Sequence, residues 1–319
     1  MIDFRYHLIS IIAVFLALGI GILMGSLVLG ENLVDQLERD LAGIERRNDE
    51  LQAAIEELNA QVDLDASFAQ AVYPHLVGSQ LEGERVVLFT IEGTDGALLD
   101  QVRTGIEDAG GTVGGVVTAT SKLELENQPT RDELALLLSS SAAEPDELRS
   151  ELASVLGTDA ASLATGEQQD DEGPDAPDQG GKNDLDALMR DLQEADFLEV
   201  EVSEGDQLVT NAADFMIVGG APEDPPFPIG SYVLPLGTSL GLDAVPIVAA
   251  ESSASTWQLV EGVRDDGDAN SVLSTVDHAD SVSGRIAFVL GLEGSEDGVI
   301  GHYGIGPGAQ AIIPEMEQP

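Results

Sequence analysis

The chain has 319 residues, no cysteine, and 59 Asp plus Glu against 13 Lys plus Arg, for a formal net charge of −46. That balance excludes a nucleic-acid binder, which needs a basic patch to neutralise phosphates, and the missing cysteines remove disulfides, thiolate metal sites and thiol nucleophiles. A hydrophobic content of 43% argues for a folded molecule carrying its charge on the surface, and the scarcity of lysine resembles the halophile-like surfaces that salt screening tolerates.

In chain order, residues 1–7 form a short head, expected on the cytoplasmic side. Leu8 to Gly30 is uncharged, and at 1.5 Å per residue it gives about 34 Å of helix, enough to span a bilayer. The run leads into Glu31-Asn32 and a helical pattern rather than a small-residue cleavage site, so 8–30 is expected to be an uncleaved transmembrane anchor. Arg5 precedes the span while Arg39, Arg46 and Arg47 follow it, so basic residues alone do not set the orientation. Gly21 and Gly25 form a G-x-x-x-G pair that lets two helices approach closely.

Residues 31–66 read as a coiled coil. Val34, Leu41, Asn48, Ile55 and Val62 fall at a positions, and Leu37, Ile44, Leu51 and Leu58 at d. Branched residues at a with leucine at most d positions favour two parallel strands, and a polar Asn48 at a is a register-fixing device. A parallel homodimer is therefore expected.

Residues 67–165 open a globular domain. A short helix broken at Pro74 is predicted within Phe68–Leu81. The apolar run Arg85–Ile91, the turn Glu92–Gly96, a helix over Ala97–Ala109 and a β-rich run Thr112–Thr118 then make a parallel crossover unit. Helices are predicted over Thr130–Leu138 and Asp146–Leu156. Residues 166–184 are nearly devoid of apolar groups and rich in Gly, Pro and Asp, which predicts a disordered acidic insertion. Over 185–314 the same alternation resumes: a helix capped by Asn183, buried strands at Asp214–Val218 and Val245–Ala250, and an apolar segment Ser283–Leu292 that periodicity leaves open between helix and strand. The fold class expected is α/β with a mostly parallel sheet, preceded by the membrane helix and coiled coil.

The opening DFRYHLISIIAVFLALGIGILMGS, the coiled coil, STVDHADSVSGRIAFVLGL at 274–292 and the closing GHYGIGPGAQAIIP resemble the actinobacterial copper transport protein B family, MctB. The resemblance implies a membrane-associated cell-envelope protein of copper efflux and homeostasis, of a family proposed to form an outer-membrane pore. It implies copper as the ion concerned, but supplies no residue motif with established chemistry.

Copper sites want Cys, Met or His at close spacing, whereas His7, His75, His278 and His302 are spread along the chain. His278, between Asp277 and Asp280, is expected in a solvated acidic turn, and His302 as a packed edge residue. Gly304-x-Gly306-x-x-Ala309 mimics a dinucleotide fingerprint, but Pro307 interrupts it and no helix follows, so a terminal turn is expected. The loops Glu92–Gly96, Gly219-Gly220 and Glu251–Ser253 should converge at the carboxyl edge of the sheet. Ser252 and Ser253 lack a readable base partner. No enzyme activity, cofactor or assignable metal site is expected. A transmembrane barrel fits poorly with strands that are few, short and continuously apolar.

Overall fold

The computed structural model describes residues 4–165, 181–202, 213–242 and 245–315, leaving aside the side chains of 4, 26–35, 38, 181–184 and 186. The chain divides into two units, Met1–Ser67 and Phe68–Pro319.

The first unit is helical. Helix α1 runs Phe4–Val77 without interruption, and its stretch Arg5–Gly25 is long and apolar enough to cross a membrane. Farther along, Leu37, Leu41, Ile44, Leu51, Ile55, Leu58 and Val62 are between 57% and 67% exposed, a continuous apolar stripe on the helix. The Val34 side chain of the predicted seam lies outside the described residues.

The expected break at Pro74 does not occur. Pro74 lies in the final turn of α1, so the backbone bond a proline forfeits falls where the helix is already ending. Gly78 N–H donates to Pro74 O at 3.2 Å, and a Cβ on Gly78 would stand 2.6 Å from that oxygen. Glycine therefore ends the helix one step later.

The second unit is a doubly wound sheet. Strand β1 (Arg85–Ile91), helix α2 (Gly96–Asp108) and strand β2 (Thr112–Ala119) make the predicted crossover, with Asp95 accepting from Ala97 N–H to cap α2. Helices α3 (Gln128–Leu137), α4 (Pro145–Thr165) and α5 (Gly181–Glu194) follow, then strand β3 (Leu198–Val202). Next come β4 (Ala213–Gly219), α6 (Gly230–Leu242), β5 (Ile247–Glu251) and α7 (Leu259–Asp265). The chain closes with β6 (Ser274–Val276), α8 (Val282–Glu296) and β7 (His302–Tyr303). Ser283–Leu292 is thus helix, started by Ser281, whose hydroxyl accepts from Gly284 N–H. Asn183 lies inside α5, which begins at Gly181, so it is not the cap expected. Residues 166–180 of the predicted insertion lie outside the described residues.

The sheet order is β3-β2-β1-β4-β5-β6-β7. Every neighbouring pair is parallel except β2 with β3. Alternate residues of the central strands bury opposite faces. Val87, Phe89, Phe215, Ile217 and Ile247 pack on the side of α3 to α7, whereas Val86, Leu88, Met216, Val218 and Val248 pack on the side of α2, α8 and the end of α1. Burial on both faces explains why these strands read as continuous apolar runs. On the second face Arg285 lies 5.0 Å from the Tyr73 ring centre, joining α8 to the end of α1.

Candidate functional site

The chain leaves β1 toward β2 and β3, then returns to place β4 on the other side of β1. This reversal is the switch point at whose carboxyl edge open α/β sheets take ligands. The three expected loops do converge there. Asp95 N–H donates to Gly220 O at 3.1 Å, tying the loop after β1 to the loop after β4. The crevice itself is plugged. A Cβ on Gly93 would meet the Trp257 indole at 3.8 Å and one on Gly219 at 3.4 Å, and the indole is held by Nε1–H donating to Glu223 O at 2.7 Å.

The polar groups of this edge bond to one another. The Glu251 carboxylate accepts from Val260 N–H in the first turn of α7 at 3.0 Å. The Asp280 carboxylate accepts from Ser253 N–H at 2.8 Å and from Ser253 Oγ at 2.7 Å. Ser253 thus ties the loop after β5 to the turn before α8 through both its amide and its hydroxyl. Beside Trp257 remains a shallow cleft of about 310 Å³ lined by Ile229, Val233, Leu234, Glu261 and Asp265.

One strand pair farther along, two of the sequence segments that carry the family resemblance meet in one network. Arg264 on α7 donates from Nη1 to Asp277 Oδ2 at 2.8 Å and to Pro307 O at 2.9 Å, from Nη2 to Tyr303 O at 2.8 Å, and from Nε to Thr275 Oγ1 at 2.9 Å. Asp277 also accepts from Ile305 N–H at 3.0 Å and Gly306 N–H at 2.8 Å. Burial pushes the Asp277 carboxyl up, but the Ile305 amide, the Arg264 guanidinium and the Gly306 amide outweigh it and hold the group below its ordinary range. The Gly304–Ala309 segment is the expected terminal turn. Gly304 has φ of +136°, and a Cβ there would stand 2.1 Å from Asp277 Oδ1.

His278 is not in a solvated turn: it is 4% exposed. The first turn of α8 closes on it, with Ser283 against its ring and Gly284 against its carbonyl, something local acidity could not reveal. Its Nε2 lies 3.1 Å from Ser283 Oγ, and its Nδ1 lies 3.2 Å from Asp277 Oδ1. The order Asp277, His278, Ser283 echoes a hydrolytic relay, yet the geometry does not serve one. Nδ1 has no aligned hydrogen bond, and Asp277 is committed to Arg264 and two backbone amides. His302 is packed as expected, with Nδ1 3.0 Å from Thr275 Oγ1. Burial and then the Arg264 charge lower its pKa.

At the opposite, amino edge of the sheet lies a cluster that the sequence reading missed. Ligand oxygens of Glu84, Asp214 and Glu296 lie within 4.8 Å of one another. Glu84 sits in the turn before β1, Asp214 is the second residue of β4 and pairs in register with Val86, and Glu296 ends α8. Burial, then the charges of Glu84 and Glu296, push the Asp214 carboxyl up to about 8. Burial also raises Glu296, with Glu84, Glu293 and Asp297 adding to it. Among the described residues this is the group of His, Asp or Glu atoms close enough to share one ion. Its signal in the sequence was a lone carboxylate inside the buried run Ala213–Gly219.

Comparison with known proteins extends along the whole chain. The family model described as "Copper transport outer membrane protein, MctB" matches residues 1–314. The chain is similar to the copper transporter MctB of Mycobacterium tuberculosis strain H37Rv, with 29% identity over 323 residues covering 98% of this chain and 99% of the relative. The copper transporter MctB of Mycobacterium leprae is 27% identical over 320 residues, covering 99% of this chain and 100% of the relative.

Proposed function

We propose, for a chain that belongs to the MctB family, a cell-envelope protein with a role in copper transport and homeostasis, held in the membrane by one helix with its α/β domain outside the cytoplasm. The observation that carries this reading is similarity over nearly the full length to relatives named copper transporters, together with the apolar stretch Arg5–Gly25 at the start of α1. The direction we assign is efflux. The working unit is a parallel homodimer, supported by the Gly21/Gly25 pair and by the exposed heptad stripe from Leu37 to Val62 that a second copy would bury.

The domain has no catalytic role in this reading. The carboxyl edge is closed by Trp257, and the Ser, His and Asp groups beside it are spent on one another. Among the described residues no Cys, Met or His ladder leads a soft ion through the domain, so copper handling falls to the assembly rather than to a conduit inside one chain.

A second reading, a dimeric envelope scaffold or ligand-binding module without transport, draws on that same absence of soft ligands. Cell-associated copper in a deletion strain separates the two, with leakage of a periplasmic reporter as control for envelope integrity. Copper accumulation restored by the intact chain, at unchanged leakage, supports the copper role. Unchanged copper, or copper that tracks leakage, supports the scaffold. Protease added to intact spheroplasts should cut the α/β domain; protection would reverse the orientation.

A further inference from the structure

Asp214 stands out among the charged groups of the domain. It is 3% exposed, and its Oδ2 has no hydrogen-bond donor. An isolated carboxylate buried in that way costs several kcal/mol unless something positive or protonated meets it. What it faces is more negative charge: the carboxylates of Glu84 and Glu296, with ligand oxygens within 4.8 Å. Three acidic groups from three separate elements have thus been folded to one point, where mutual repulsion opposes the fold. A cation turns that repulsion into attraction.

We propose that Glu84, Asp214 and Glu296 form a binding site for a hard divalent cation of the Mg²⁺, Ca²⁺ and Mn²⁺ class. The donor set selects the class. Carboxylate oxygens suit these ions, whereas Cu(I) takes thiolate, thioether and imidazole, and the three ligands here are oxygen only. The placement supports it as well. Glu296 is the last residue of α8, where the partial negative charge of a helix carboxyl end favours a cation. Asp214 supplies the buried floor, Glu84 is half-buried and Glu296 is exposed, so the site has a closed side and a side open to solvent from which the ion enters. Bound there, the ion would pin the turn before β1, the start of β4 and the end of α8, at the edge of the sheet opposite the one closed by Trp257.

The test uses the full chain in detergent micelles, stripped with chelator and held in 1 M KCl so that the acidic surface is screened. Free Mn²⁺ is followed by its electron paramagnetic resonance signal during titration. One saturable site per chain is expected, weakened at least tenfold in Asp214→Asn and in Glu296→Gln. Glu147→Gln, an exposed carboxylate on α4, should leave it unchanged. Glu296→Gln alters an exposed helix end, so it reads the site even if Asp214→Asn folds poorly. Ca²⁺ should raise the melting temperature of the wild type and not that of Glu296→Gln. No saturable Mn²⁺ site, binding in both cluster variants as tight as in the wild type, or a site that takes Ag⁺ as a Cu(I) surrogate while ignoring Mn²⁺ would each overturn the assignment.

Discussion

Arg264 and Asp277 meet at 2.8 Å with side chains only 3% and 13% exposed, and through that pair the closing turn of the chain is locked to β6 and α7. Arg264 reaches Thr275, Tyr303 and Pro307, while Asp277 receives the amides of Ile305 and Gly306. Each partner makes further hydrogen bonds beyond the pair itself, which is the condition for a buried ion pair to be tolerated. Removing one partner strands the other. Arg264→Met keeps the aliphatic stem and is expected to lower stability by about 3–5 kcal/mol, read by denaturant unfolding. The double variant Arg264→Met/Asp277→Asn should cost less than the sum of the two single changes, because neither leaves an orphaned charge. Additive losses would mean that the pair contributes only through separate contacts.

The same carboxylate sets an acid limit. Asp277 is held below the ordinary carboxylate range, so the folded state binds its proton less readily than the unfolded chain. Its contribution is therefore present above the unfolded value of about 3.9 and is lost as pH falls through the lower folded value. Melting temperatures of the wild type should drop on acidification below about pH 4, and Asp277→Asn should show a shallower drop there. A variant profile parallel to the wild type would place the acid sensitivity elsewhere.

Asp214 has the opposite sign. Its carboxyl is raised from 3.8 to about 8, first by burial and then by Glu84 and Glu296. Stability from this group is present below the unfolded value and is lost as pH rises through about 8, because ionisation is then forced in a buried, negative setting. With chelator present, Asp214→Asn should melt at least about 2 °C above the wild type at pH 9 and show a smaller advantage at pH 5. An advantage of equal size at both pH values would point to packing rather than ionisation.

Much of the fold was written in local pattern. The crossover of β1, α2 and β2, the buried runs of β4 and β5, and the loops converging after them followed from apolar runs punctuated by Gly and Asp. What escaped was set by pairing between distant segments. Strands β6 and β7 contribute three and two residues, too few for a period to show, and β3 has the mixed pattern of an edge. Pro74 read as a break because proline preference does not state where in a helix the proline falls. Asp277 and His278 read as a solvated acidic turn because nothing nearby in sequence announces that Arg264 and the closing segment will cover Asp277, or that the start of α8 will close on His278. The cluster of Glu84, Asp214 and Glu296 was invisible for the same reason, its members lying 130 and 82 positions apart. Trp257 as a plug needed the glycines at 93 and 219 to be seen face to face with it.

Gly284 is another such meeting. It lies in the first turn of α8, and a Cβ there would stand 2.0 Å from the His278 carbonyl oxygen. Backbone cannot swing aside as the end of a side chain can. Gly284→Ala should therefore destabilise by about 1–3 kcal/mol by forcing the helix off the β6 turn, although alanine is the better helix former. Ser283→Ala, one residue earlier, removes only a hydroxyl shared with Ser281 and His278 and should cost less. A Gly284→Ala variant as stable as the wild type would show that the turn shifts freely.

The assembly prediction rests on α1. Gly21 and Gly25 permit close approach within the bilayer, and the heptads from Val34 to Val62 continue on the same helix, so a single pair of helices satisfies both segments only if the chains run parallel. Leu51 at d is 63% exposed in the single chain and in the proposed parallel dimer would face its symmetry mate, whereas Glu50 at c would point outward. With no native cysteine, Leu51→Cys should crosslink two full-length chains efficiently in membranes, and Glu50→Cys should not. In that dimer Asn48 would bond across the seam, giving up stability for register and for two strands over three. Asn48→Ile should raise the thermal stability of the helix while admitting higher oligomers, read as crosslinked trimers with Leu51→Cys in the same chain. Equal crosslinking at positions 50 and 51, or a monomer by sedimentation of the full chain in detergent at high salt, would sink the dimer and leave the stripe from Leu37 to Val62 to a different partner.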